Sequence, residues 1–145
     1  MKVILLGATG MVGQGVLREC LLDPEVETVL AIGRSATVQQ YEKLHEIVLN
    51  DLSDLSSAEG RLSGYDACFF CLGVSSAGMS EADYTHLTFD LTMAWAKRLA
   101  RINPAMTFLY VSGAGDRREG DVGAGQRSHA SHARARRNGS WSRAT

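Results

Sequence analysis

Apolar residues gather in five short runs along the chain, separated by polar turns and by stretches of helical period. "KVILLG" (2–7) is uninterrupted and apolar, as expected of a strand covered on both faces of a parallel sheet. The residues that follow, "ATGMVGQGVLRECLL", place Met11, Val12, Val16, Leu17, Cys20 and Leu21 at helical spacing, and Asp23-Pro24 stops that helix. "ETVLAIG" (27–33) predicts a second strand, residues 39–44 a short helix, and "HEIVLN" (45–50) a third strand. "DACFFCLG" (66–73) predicts a fourth buried strand and "AMTFLYVS" (105–112) a fifth. Between them, Ser80 with Asp83 three residues later makes a capping box. It opens a long helix with Tyr84, Leu87, Leu91, Ala94, Trp95 and Leu99 on one stripe, ended by Asn103-Pro104.

This alternation of strands and helices predicts an α/β fold, a doubly wound parallel sheet of five strands in the order 3-2-1-4-5. The pattern stops at Asp116. Beyond it Val122 and Trp141 are the only large apolar residues. Such a segment does not offset roughly 1–2 kcal/mol of backbone entropy per residue. Two regions are therefore expected: a domain over 1–115 and a disordered tail over 116–145. With the chain stopping short, the fifth strand would be an exposed edge and a route to self-association.

Charge sharpens that boundary. Residues 1–115 hold 8 Lys/Arg against 13 Asp/Glu, net −5, and residues 116–145 hold 7 Arg against 3 acids, net +4, which together give the chain's −1. A tail this modestly basic reads as a solvated segment, and nucleic acid is not the expected partner. No apolar run reaches the ~18 residues of a membrane span, and the N-terminal run is too short for a signal peptide, so a cytoplasmic protein is expected. Three cysteines, Cys20, Cys68 and Cys71, argue against a disulfide framework. Cys68 and Cys71 have metal-ligand spacing but lie on a strand, where positions i and i+3 face opposite ways. His129-x-x-His132 lacks a carboxylate or cysteine partner nearby, so no metal site is expected.

The chemistry-bearing motif is "GATGMVG". Gly7, Gly10 and Gly13 stand directly after a strand and open a helix, within a strand–helix–strand unit. Gly7 would permit the tight turn, Gly10 the approach of a pyrophosphate, and Gly13 close packing of helix on strand. The helix start would present its free N–H groups to the phosphates. The cofactor-binding segment is thus Gly7, Thr9, Gly10, Met11, Val12 and Gly13. NAD sites usually carry an acid about 20 residues on. Here that neighbourhood is "AIGRSAT", which has Arg34 and no acid. A guanidinium pairs with a 2′-phosphate, so NADP is the expected cofactor and NAD the alternative.

"MKVILLGATGMVGQGVL", "AIGRS", "LNDL", "CFFCLG" and "YVSGAG" together resemble an atypical or extended short-chain dehydrogenase/reductase, with a Rossmann NAD(P)H-binding domain of the Tat-interacting-oxidoreductase-like group. The resemblance covers residues 1–115. It implies an NAD(P)-dependent oxidoreductase or epimerase-like family, with Asp51 and Leu52 flanking the adenine and Leu72 and Gly73 lining the cofactor. Ser112 would match the family's active-site serine. That family follows the serine with Tyr-x-x-x-Lys, the proton donor and the lysine that lowers its pKa. No Tyr or Lys follows Ser112 in this chain, so a truncated, cofactor-binding but inactive domain is expected, with its small-molecule substrate unknown.

A shift of reading frame at Asp116 would account for the change. Codons exist for "DRREGDVGAGQR" that, read one base later, spell a peptide resembling what relatives carry, lysine included. The Arg, Gly, Ala and Ser bias fits shifted GC-rich DNA. Two other readings stand beside this one: an active reductase in which Ser112 works with His86 or Asp90, and a partner- or nucleic-acid-binding module using the basic tail.

Overall fold

A computed structural model of the chain describes residues 1–72, 80–114 and 129–135. Its central feature is a sheet with β1 (Lys2–Leu6), β2 (Thr28–Gly33), β3 (Leu44–Val48), β4 (Ala67–Phe70) and β5 (Thr107–Ala114). These five strands are parallel and lie in the order β3-β2-β1-β4-β5, as the alternating pattern predicts. Helix α1 (Met11–Leu22) follows β1, and α2 (Glu81–Ile102) precedes β5.

Period-two alternation of β1 and β2 splits the core into two layers. Val3, Leu5, Val29 and Ala31 meet Leu17, Cys20 and Leu21 of α1 on one face. Ile4, Leu6, Leu30 and Ile32 meet Trp95, Ala96 and Leu99 of α2 on the other. All eight strand side chains are at most 4% exposed, which is why β1 and β2 read as unbroken apolar runs. The two cysteines of "CFFC" divide between the layers as strand geometry requires. Cys68 sits in the α2-side core and Cys71 packs against the α1-side core.

Several expectations are corrected. Residues 39–44 form no helix; a turn there leads into β3. "QQYEKL" offers no apolar stripe to bury, so nothing beyond local propensity would hold a helix. The β3–β4 crossover carries only a 3-10 turn, Glu59–Arg61, with Leu55, Ala58 and Leu62 plugging the α2-side core in place of a helix. The buried stripe of α2 runs through Thr92, Trp95, Ala96 and Leu99, whereas Leu87 and Ala94 face outward. The side chain of Tyr84 lies outside the described residues. On α1, Met11 is 91% exposed and Val12 41% exposed, so the buried face begins at Gly13.

Part of the tail for which no order is expected adds a sixth strand. β6 (His129–Ala135) pairs antiparallel with β5, from Leu109↔Ala135 to Ala114↔His129, with a register shift between Ser112 and Ala114. The edge of β5 expected to be exposed is therefore paired with β6. An uncovered strand presents a row of unpaired N–H and C=O groups. "HASHARA" has no proline, so every one of its residues has both a donor and an acceptor to offer.

Two buried polar side chains fix the α2 layer. Asn103 caps the C-terminus of α2 and ties it to the loop before β4. Its Oδ1 accepts from the N–H of Gly64 (2.8 Å) and Tyr65 (3.2 Å), and its Nδ2 donates to the Leu62 carbonyl (2.7 Å). Trp95 donates through Nε1 to the Leu52 carbonyl at 2.9 Å. At the other end of α2, the Ser80 Oγ accepts from the Asp83 N–H at 3.1 Å, the predicted cap.

Candidate cofactor site

The turn between β1 and α1 is built from backbone. Gly7 has φ +82°, a region that side chains rarely adopt. A Cβ there would meet the Cys71 carbonyl oxygen at 2.7 Å. Gly13 is under tighter constraint: a Cβ would stand 1.8 Å from the Gly7 oxygen. Helix α1 thus starts in direct contact with the turn. Gly10 is different. It is the N-cap residue with ordinary extended angles, and a Cβ would meet nothing closer than 3.5 Å.

Around this turn the amides line up. Gly10 N–H donates to the Gly7 carbonyl (3.1 Å), and the first helical bond runs from Gln14 N–H to Gly10 (2.8 Å). Met11, Val12 and Gly13 therefore precede the first intrahelical donor, and no side chain caps them. Thr9 and Gly10 are exposed beside them, and Gln14 Nε2 holds the Thr9 carbonyl at 2.9 Å. Orphan donors at a helix start, carrying its partial positive charge, form an anion site.

Beyond β2 lies the second part of the site. Arg34 is exposed and makes no ion pair among the described residues. A small pocket of about 10 Å³, lined by Ala8, Thr9, Gly33, Ser35, Thr37 and Glu46, joins the glycine turn to the residues after β2. The Thr37 Oγ1 is buried with no hydrogen-bond partner among the described residues. Sequence reasoning missed Glu46, which lies on β3 opposite Ala31 and accepts the Thr37 N–H at 2.7 Å. The available signal was an acid within a predicted strand.

Of the remaining predicted residues, Leu72 adjoins the glycine turn, its backbone nitrogen 2.9 Å from where a Cβ on Gly7 would stand. Asp51 is exposed, and its carboxylate accepts from the N–H (2.9 Å) and Oγ (2.6 Å) of Ser53. The Ser53 hydroxyl first, then its amide, hold the Asp51 carboxyl below its usual range. Leu52 and Leu72 pack against the α2-side core. Gly73 lies outside the described residues, as does the side chain of Ser112, whose backbone pairs with His132. His86 and Asp90 pair with each other at 3.1 Å, with side chains 80% and 56% exposed, on the outer face of α2. Burial pushes the Cys71 thiol up to about 11, and burial also raises Cys68, so both are protonated near neutrality. No cluster of three or more metal-ligating side chains occurs among the described residues.

A doubly wound sheet whose first turn exposes helix amides through glycines defines a dinucleotide-binding Rossmann domain. Comparison with known proteins agrees: residues 2–102 match the family model described as semialdehyde dehydrogenase, NAD binding domain, and the chain belongs to that family. A curated relative, the leucinostatins biosynthesis cluster protein T of Purpureocillium lilacinum, is 30% identical over 115 residues, 77% of this chain and 42% of that protein. A candidate epimerase from Bacteroides thetaiotaomicron is 26% identical with a TM-score of 0.60, over 79% of this chain and 48% of the other. A uronate dehydrogenase mutant from Agrobacterium tumefaciens, complexed with NAD, is 20% identical with a TM-score of 0.54, over 77% and 40%. The chain thus spans less than half the length of each of these three proteins. Among the described residues no helix is long and apolar enough to cross a membrane.

Proposed function

We infer that the chain is the cofactor-binding part of a short-chain dehydrogenase/reductase-like oxidoreductase, taking a nicotinamide dinucleotide and favouring NADP(H). One observation carries the reading: a Cβ at Gly7 or Gly13 would clash with backbone, while one at the exposed Gly10 would meet only the Gly7 oxygen, at 3.5 Å. A merely structural turn needs the first two; an open third glycine is what a pyrophosphate needs. In this reading the amides of Met11, Val12 and Gly13 hold the phosphates. Arg34, exposed and without an ion pair among the described residues, meets a 2′-phosphate through charge-assisted hydrogen bonds. The bound dinucleotide supplies hydride transfer. The protein's share is binding and orientation.

Calorimetric titration with NADPH and NADH tests this. Saturable binding of both, tighter for NADPH, is expected. No binding of either at millimolar concentration overturns it. The alternative centred on Ser112 with His86 or Asp90 gains no support, because those two side chains pair with each other on an outer helix face.

A further inference from the structure

Residues 34–41, directly after β2, contain no acid, yet a carboxylate reaches their pocket from the neighbouring strand. Glu46 of β3 is half-buried, lines the pocket, and spends one acceptor position on the Thr37 N–H at 2.7 Å. A carboxylate has about four acceptor sites, so its hydrogen-bonding capacity is mostly unspent by that contact. The buried Thr37 hydroxyl, without a hydrogen-bond partner among the described residues, belongs to the same pocket wall. A volume of about 10 Å³ is near the minimum for a single water, room for one hydroxyl.

We propose that Glu46 is the second specificity-determining residue of this site: its carboxylate accepts a ribose hydroxyl of the unphosphorylated cofactor and opposes a 2′-phosphate, as the counterweight to Arg34. The proposal rests on the dinucleotide-binding reading above. Cofactor preference is then a balance between two opposite charges, one on the loop after β2 and one on β3, and removing either one tips it. Glu46 would supply from β3 the acid missing after β2, and its link to Thr37 would hold the loop that begins at Arg34.

Glu46→Gln tests this, because the amide oxygen still accepts the Thr37 N–H while the charge is gone. Dissociation constants for NADPH and NADH are measured on the full chain by calorimetry, with thermal unfolding as a check on the fold. The expected result is an NADPH preference about tenfold larger than in the wild type, from tighter NADPH and weaker NADH binding. An unchanged preference overturns the proposal. A second readout needs no variant: saturation of the wild-type chain with NADH shifts the Thr37 amide resonance, and an unmoved resonance overturns it equally. If the wild type binds neither nucleotide, the dinucleotide-binding reading itself fails, which is a distinguishable outcome.

Discussion

The two ends of the crevice are made in different ways. The glycine turn is fixed by backbone: Gly7 needs its positive φ, and Gly13 needs contact between α1 and the Gly7 carbonyl. The Arg34–Thr37 segment is fixed by a side chain from another strand, through the Glu46–Thr37 hydrogen bond. In the proposed reading the first end binds what every dinucleotide shares, its pyrophosphate, and the second reads what differs between dinucleotides. Affinity on the invariant part would then be built into the main chain, and selectivity would sit on exchangeable side chains.

Substitution at Gly13 should break the first end most severely. Gly13→Ala forces a methyl against the Gly7 backbone and costs about 3 kcal/mol or more. Chemical denaturation would show it as an unfolding midpoint far below wild type; an unchanged midpoint would contradict the close packing described. Gly10→Ala sharpens the contrast. Its stability should stay within about 0.5 kcal/mol, because a Cβ there touches nothing closer than 3.5 Å. NADPH and NADH affinity should both fall at least about tenfold, since the methyl enters the phosphate approach. Equal losses of stability at Gly10 and Gly13 would erase the distinction between a packing glycine and a ligand glycine.

At the selective end, Arg34→Ala should leave the unfolding midpoint unchanged. It should weaken NADPH about tenfold, or ~1.4 kcal/mol, and NADH hardly at all. Parallel loss for both cofactors would mean that Arg34 does not read the 2′ position. The smallest effect is at acid pH, beyond β3. The Ser53 hydroxyl holds the Asp51 carboxyl below its ordinary 3.8, and the Ser56 hydroxyl does the same for Asp54. Depressed folded values make these contributions fully present above pH 3.8; they are lost as pH falls through the lowered values. The stability gap between wild type and an Asp51→Asn variant should therefore shrink below pH 3.8, and a gap constant down to pH 2 would contradict the hydrogen-bonded turn.

The same division explains what the sequence reveals. β1, β2 and the glycine spacing are readable because each depends on local rules: burial on both faces, and the steric need for a missing Cβ. The stop of α1 at Asp23-Pro24 and the Ser80 cap are local too. Glu46 is not readable in that way, since its meaning comes from β2–β3 register, which places it opposite Ala31. Asn103 looks like a helix stop, and only the tertiary fold shows it bonding Leu62, Gly64 and Tyr65. The helix expected over 39–44 fails because no layer exists there to bury one. β6 escapes notice because backbone pairing with β5 leaves no apolar period in "HASHARA".

Amide-resolved NMR titration with NADPH addresses the phosphate cradle most directly. If the turn holds the pyrophosphate, the amides of Gly10, Met11, Val12 and Gly13 shift most, saturate together, and do so with the affinity measured by calorimetry. Saturable shifts confined to other parts of the chain, with these four amides unmoved, would contradict the account.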